Sequence, residues 1–301
     1  MFVVRYRKIF FALSFVLIAL SMYGILFYGF KESIDFKGGT ITEVRYSESL
    51  PNKASVEKEI STLNLGGFSV RPSENDRYVI RTQELSETDR ANLESALSEN
   101  GTKQIVIERS NTIGPVVGAE LKSKAFKAIA VVVLMIVLFV TYAFRGVSKP
   151  VASWKYGLAT IVALFHDVVI PTGVFVFLGH FKGVEIDLLF VTGLLAILGY
   201  SVHDTIVVFD RVRENLKINK DKNINEDFET TVGESVHQTF GRSINTSLTI
   251  FITLLALYLV GGEATKDFAL LLIVGIIVGT YSSIFVASPL LVTFQKWQKS
   301  K

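Results

Sequence analysis

Five ionisable side chains fall inside long apolar stretches of this 301-residue chain: His166 and Asp167, His203 and Asp204, and Arg242. A charge held in hydrocarbon costs on the order of 3 kcal/mol or more, so each of these is a candidate for function. The repeated His-Asp dipeptide suggests a metal site. Adjacent residues on a helix, however, point about 100° apart, and no further ligands cluster nearby, so no metal or other cofactor is expected. Asp204 and Arg242 match better. A carboxylate beside an arginine stays ionised while the two are together, and takes a proton more readily when alone in apolar surroundings. That is the minimal chemistry of a proton-driven carrier.

Polar neighbours extend each of these positions. Tyr200 and Ser201 precede Asp204 by one turn, beside His203, and Thr280 and Ser283 stand in a later apolar block. After Arg242 come Asn245 or Thr246, then Thr249 and Thr253, at offsets of 3 or 4, 7 and 11. Two readings stay open for these side chains. They form a wet seam between helices, or they only glue helices together while Arg242 snorkels to the membrane surface. Gly275-Ile276-Ile277-Val278-Gly279 is a close-packing motif and marks helix contact only.

Only membrane helices can position such residues. The chain is 50% hydrophobic, its mean hydropathy is +0.42, and its apolar residues gather into blocks of roughly 18–25 residues, about a bilayer's thickness. This excludes a soluble enzyme, a disordered chain and a disulfide scaffold, and the absence of cysteine excludes thiol chemistry. A net charge of +3 is too small to suggest nucleic acid. Six spans are expected: Ile9–Tyr28, Phe126–Phe144, Tyr156–Leu178, Ile186–Phe209, Ser243–Val260 and Phe268–Phe294. The first reads as a retained anchor, because its core is too long for a signal and Phe27, Tyr28 and Phe30 stand where small cleavage-site residues would be needed.

Lysine and arginine set the orientation. One side collects Arg5, Arg7, Lys8, Arg145, Lys149, Lys155, Arg211, Arg213, Lys217, Lys220, Lys222, Lys296, Lys299 and Lys301, whereas the short loops opposite hold only Lys182 and Lys266. Both termini are therefore expected in the cytoplasm and residues 29–123 outside it. The expected division is 1–28, with the first span; 29–123, the extracytoplasmic domain; and 124–301, with spans two to six. Asp204 and Arg242 then both fall in the inner part of the membrane, at depths compatible with a direct pair.

Segment 29–123 reads as a folded α+β module. Thr42, Val44 and Tyr46 alternate with Ile41, Glu43 and Arg45, as in a half-buried strand. Val56, Ile60 and Leu63 recur at helical spacing behind Pro51-Asn52. Phe68–Arg71 and Tyr78–Thr82 are short strands around the turn Pro72-Ser73-Glu74-Asn75-Asp76. Ser86 starts a helix with Asp89 as a capping box, and Ile105–Glu108 is a last strand. The order β-α-β-β-α-β is that of a ferredoxin-like domain. It carries no His and no Cys, and contact with another polypeptide is its expected work. The stretch Ser33–Thr40, with Gly38-Gly39, reads as a glycine turn where the chain leaves the bilayer. Neither a phosphate-binding loop nor a hydrolase signature is present, since Gly199-Tyr200-Ser201-Val202-His203 lacks the final glycine of a nucleophile elbow.

The run Gly199-Tyr200-Ser201-Val202-His203-Asp204-Thr205-Ile206-Val207-Val208-Phe209-Asp210-Arg211-Val212-Arg213-Glu214-Asn215 resembles the signature of the SecF family of bacterial protein-export subunits. Ile34–Thr40, Ile113–Gly118, Ala163–Asp167, Arg242–Ser247 and Gly261-Gly262 are similar to that family's other motifs, in the same order along the whole chain. Ser33 and Lys37 depart from its commoner residues. The resemblance implies a six-helix half of an RND-superfamily transporter, completed by SecD as a separate chain. It implies Asp204 and Arg242 as proton relay; from the polar pattern itself, His203, Asp167, Ser201, Asn245, Thr246 and Thr249 are the expected supporting residues. It implies a multi-pass place in the bacterial cytoplasmic membrane, with SecD, SecYEG, YidC and a translocating preprotein as partners. A half-size RND exporter of lipids or drugs is the alternative.

Overall fold

The computed structural model describes residues 2–47, 49–73, 76–145 and 151–299. Lys149 and Lys301 of the basic set, and Glu74 and Asn75 of the predicted turn, lie outside them. Two compact units emerge, residues 32–126 and a second made of 1–31 with 127–301.

The second unit is helical. A short α1 (Phe2–Arg5) leads into α2 (Arg7–Tyr28); the elements α3 to α5 belong to the other unit; then come α6 (Pro115–Ala143), α7 (Ser153–Lys182), α8 (Leu188–Asp221) and α9 (Phe228–Val260). The last span is α10 (Glu263–Ser282), a π-turn (Ser283–Ala287) and α11 (Ser288–Lys299). Among the described residues six helices are long and apolar enough to cross a membrane, as the hydrophobic blocks predict. Helices α8 and α9 run well past their predicted spans as a polar hairpin, because the charged stretch Asp210–Asp221 keeps helical spacing of Val212 and Leu216 against Phe228 and Val232.

Burial sorts these helices. More than half of the apolar windows of α7, α8 and the α10–α11 span is enclosed, whereas α2, α6 and α9 leave most of theirs uncovered. Small residues let the inner helices approach. A Cβ on Gly173 of α7 would sit 2.6 Å from the Ser21 backbone of α2, and one on Gly275 would run into Ile197 of α8. The close-packing motif of α10 thus faces α8, where Gly279 also lies against Ser201. At the basic ends, Phe144, Tyr156 and Phe209 pack as one aromatic cluster, with stacked rings of Phe144 and Tyr156 5.2 Å apart. Glu229 at the start of α9 takes Arg7 at 2.8 Å and also Lys296, so the first and last helices end on one side.

The smaller unit holds α3 (Ile34–Lys37), β1 (Gly39–Tyr46), α4 (Lys53–Ser61), β2 (Ser69–Ser73), β3 (Arg77–Thr82), α5 (Glu87–Leu97) and β4 (Ile105–Ile113). Its sheet is antiparallel in the order β2-β3-β1-β4, the ferredoxin-like arrangement. Alternation works as read: Val44 and Tyr46 pack with Val70, Tyr78 and Ile80 against Val56, Ile60, Leu93 and Leu97 of the two helices. Asn52 caps α4 through the Ala54 amide, and Ser86 caps α5 through Asp89. Strand β4 runs five residues beyond its predicted end at Glu108. Arg109-Ser110-Asn111-Thr112 shows no hydrophobic alternation, yet beyond a bulge at Glu43/Val44 it pairs with Gly39–Glu43.

Gly38-Gly39 does more than turn the chain. Both residues have positive φ, 79° and 134°. A Cβ at Gly38 would lie 2.8 Å from the Pro115 backbone, and one at Gly39 2.5 Å from the Thr82 carbonyl. The entry to the domain is therefore keyed into β3 and the first residues of α6, and no side chain fits there.

Two outcomes follow. Gly173→Val should cost about 1–3 kcal/mol in thermal unfolding by forcing α2 from α7, while Gly199→Ala, with open space around it, should change little. In the sheet domain, burial first, then Tyr78 and Glu99, push Tyr46 from 10.0 up to about 12, and its hydroxyl donates to the Leu97 carbonyl at 3.2 Å. The folded pKa lies above the unfolded one, so this stability is intact below pH 10 and declines from pH 10 towards 12. Hydrogen exchange of β1 amides should show that decline, and Tyr46→Phe should flatten it.

Candidate functional site

The most enclosed carboxylate is Asp167, which is wholly buried on α7. Its Oδ1 meets His166 Nδ1 at 2.8 Å. Its Oδ2 accepts from Ser282 Oγ of α10 at 2.7 Å and from Ser201 Oγ of α8. Neighbouring His and Asp on one helix thus reach each other by swinging their side chains, despite the angle between their Cα–Cβ bonds. Pro171 lies four residues on and has no N–H to give the Asp167 carbonyl, so the backbone is loosened at the same place.

Hydroxyls continue the network along α10. Ser283 Oγ bonds Thr205 Oγ1 at 2.8 Å and donates to the Ser201 carbonyl at 3.3 Å. Ser288 Oγ donates to the Ser283 carbonyl at 2.8 Å across the π-turn. Ser247 of α9 joins Tyr200 and Thr280, each at 2.6 Å. Pi-turns interrupt helices at functional positions more often than elsewhere, and this one carries a hydroxyl at each end.

Asp204 is different. It is 4% exposed, and its Oδ2 has no hydrogen-bond partner; the buried Ser243 hydroxyl of α9 lies beside it without a bonded partner of its own. His203 and Arg242 act on it only through space. The direct pair that the depths allow is not formed, because Arg242 points outward from α9. Asn245, Thr249 and Thr253 share that outward face, with Thr249 and Thr253 bonded back to carbonyls of their own helix at 2.6 and 3.0 Å. Thr246 is half-buried and His203 exposed. The polar stripe of α9 is thus left uncovered by the chain itself, while hydroxyls that do bridge helices are Ser247 of α9 and Ser201 of α8. Ser282 and Pro171 escaped the sequence reading; their offset from Asp167 and place beside Ser283 were the only signals. Among the described residues no three His, Asp or Glu converge to hold a metal ion.

Six apolar helices enclosing carboxylates among hydroxyls, joined to a split β-α-β domain, define one half of an RND-type membrane transporter. A family model for the C-terminal part of the protein-export membrane proteins SecD and SecF matches residues 92–297, and one for the SecD/SecF GG motif matches residues 23–49. Protein translocase subunit SecF of Thermobaculum terrenum is 39% identical over 97% of this chain and 93% of its own length. Its counterpart in Anaerolinea thermophila is 36% identical over 96% and 92%. The crystal structure of SecDF, a translocon-associated membrane protein from Thermus thermophilus, superposes with a TM-score of 0.83 at 32% identity over 98% of this chain. The chain belongs to the SecD/SecF family of protein-export membrane proteins, as a SecF. It spans 38% of the length of that SecDF chain.

Removing one donor from Asp167, by Ser201→Ala or Ser282→Ala, should destabilise the chain by about 1.5–3 kcal/mol, the range for bonds to a charged group. Thr249→Ala, on the uncovered stripe, should stay within about 0.5 kcal/mol. Thermal unfolding of the purified chain separates the two.

Proposed function

We propose that this SecF acts with SecD beside the SecYEG channel and YidC, drawing on the proton-motive force to promote preprotein export across the bacterial cytoplasmic membrane. The observation that carries the reading is Asp204, buried with an unpartnered oxygen beside an uncovered polar stripe. Polar side chains facing outward from a membrane span need a second helical body or a watery cavity. A SecD half supplies that body, and the larger SecDF chain, of which this chain spans 38%, supports it. Asp204 is the proton-exchanging group and Arg242 its conditional partner, brought close or withdrawn as the two halves move. His203, Asn245, Thr246 and Thr249 line the route, and no hydrolytic chemistry is involved. An exporter of lipids or drugs is not favoured, since the relatives are translocase subunits.

The bias of basic residues supports cytoplasmic termini, a cytoplasmic α8–α9 hairpin and an extracytoplasmic sheet domain. A cysteine at Glu94 should then react with an impermeant reagent in intact cells, and one at Lys222 should not; labelling of Lys222→Cys would reverse the topology.

One elementary charge crossing the membrane field yields about 2.3 kcal/mol per 100 mV, enough to bias a two-state helix arrangement. Asp204→Asn should assemble with SecD at normal level yet lose proton-dependent stimulation of export, while Asp204→Glu keeps part of it. Arg242→Ala should uncouple export from the gradient. Export measured with and without a proton gradient decides. A parent-like response in Asp204→Asn would make Asp204 structural.

A further inference from the structure

The proton-coupled reading uses Asp204 and leaves the deepest pair of ionisable groups without a task. His166 is 1% exposed, and its Nε2 has no partner at all. Its Nδ1 is bonded to Asp167. The imidazole stacks on Tyr281, with ring centroids 5.8 Å apart, and Tyr281 is held by the Phe10 carbonyl at 2.9 Å and the Ser14 hydroxyl at 3.3 Å from α2. Ser201 of α8 and Ser282 of α10 face Asp167. Among the described residues no other charged side chain bonds the pair. Two neutral serine donors and one imidazole are the whole shell, and one imidazole nitrogen is left vacant in it.

We propose that His166 and Asp167 form a second proton-accepting station that loosens α8 and the last turn of α10 from α7 when it is loaded. In the resting pair the imidazole proton lies on Nδ1, the nitrogen facing the carboxylate. A proton arriving at Nε2 lets the Nδ1 proton pass to Asp167 Oδ1. The products are a neutral imidazole protonated on Nε2 and a neutral carboxylic acid, whose O–H donates back to Nδ1. One N–H bond forms, one N–H bond breaks and one O–H bond forms, so the pair gains one proton. No hydrogen bond in the shell is lost. What changes is strength: the bonds from Ser201 and Ser282 to Oδ2 lose their charge assistance, which roughly halves them.

Those two bonds tie α8, and the last turn of α10 immediately before the π-turn, to Asp167 on α7. Ser201 lies one turn before Asp204 on the same helix, and its carbonyl takes Ser283 from the π-turn. Loading the pair therefore weakens the hold of α7 on the stretch of α8 that carries Asp204, while that stretch keeps its bonds to the π-turn. Asp167 is in this sense a positioning residue for Asp204 as well as a proton acceptor. The station rests on the proton-coupled reading but has its own chemistry.

Infrared difference spectra of the full chain with its SecD partner in lipid nanodiscs, recorded across a pH titration, test it without an export assay. Asp204→Asn should keep a protonating carboxyl band that disappears in Asp204→Asn with Asp167→Asn, and Asp167→Glu should keep a shifted band. A band unchanged in the double variant, or none in Asp204→Asn, overturns the station. Nitrogen-15 NMR of histidine in the parent needs no substitution there, and His166→Gln assigns the signal. His166 should move from an Nδ1–H to an Nε2–H form on acidification, and an unchanged form across the titration overturns the proposal. If Asp204→Asn retains its gradient response in export, Asp204 falls as the proton-exchanging group, whatever the band shows. If export is lost but the band is missing, only the second station falls.

Discussion

Within a bilayer, a buried carboxylate must draw its hydrogen-bond donors from the protein, and Asp167 draws them from three helices. This requirement organises the membrane unit. It holds α7, α8 and α10 in mutual contact, and contact at that range is open only to small residues. Gly279 against Ser201, and Gly275 against Ile197, are the places where α10 comes close enough for Ser282 to reach the carboxylate. The π-turn begins where Ser282 and Ser283 reach Asp167 and Thr205 from consecutive positions.

Asp204 sits under the opposite condition. It is on the same helix face region as Ser201, one turn on, but one of its oxygens is unbonded and its charged neighbours act from a distance. Ser201 bonded to the satisfied carboxylate of α7, and the unsatisfied Asp204 one turn on, give α8 two different environments. One fixes its position; the other is free to change partner. The outward stripe of Arg242, Asn245, Thr249 and Thr253 belongs to this second environment, because each of its side chains is solvated, self-bonded or awaiting a neighbour rather than packed.

The sheet domain obeys a simpler rule, burial of one sheet face under two helices. Its distinctive feature is the way the chain enters. Ser33 caps a single helical turn, Gly38 and Gly39 follow with positive φ, and the Pro115–Gly118 segment fits against them, with a Gly118 Cβ position only 3.0 Å from the Gly38 amide. Two motifs far apart in sequence, one before the first strand and one after the last, are thus a single lock.

Much of this was legible in the amino-acid order. Six spans, the β-α-β-β-α-β order and the caps at Asn52 and Ser86 all rest on local periodicity and local hydrogen bonding, which a sequence carries directly, although α6 starts at Pro115, well before the expected Phe126, and α8 and α9 run on into the hairpin. So does the identity of Asp167, Asp204 and Arg242 as ionisable residues in hydrocarbon. What only the tertiary structure decided is who meets whom. The angle between successive residues speaks against a metal ion chelated by His166 and Asp167, but it does not reveal that the two bond each other, because side-chain torsions and not Cβ directions place the polar atoms. Arg242 was matched to Asp204 by depth, yet it faces away, because depth along a helix says nothing about rotation around it. Ser282, one hydroxyl among many, is a ligand of Asp167 through the packing of α10 against α7, just before a π-turn that the sequence does not announce. Rotation and pitch are settled by packing between helices distant in sequence, and that is where the sequence alone stops.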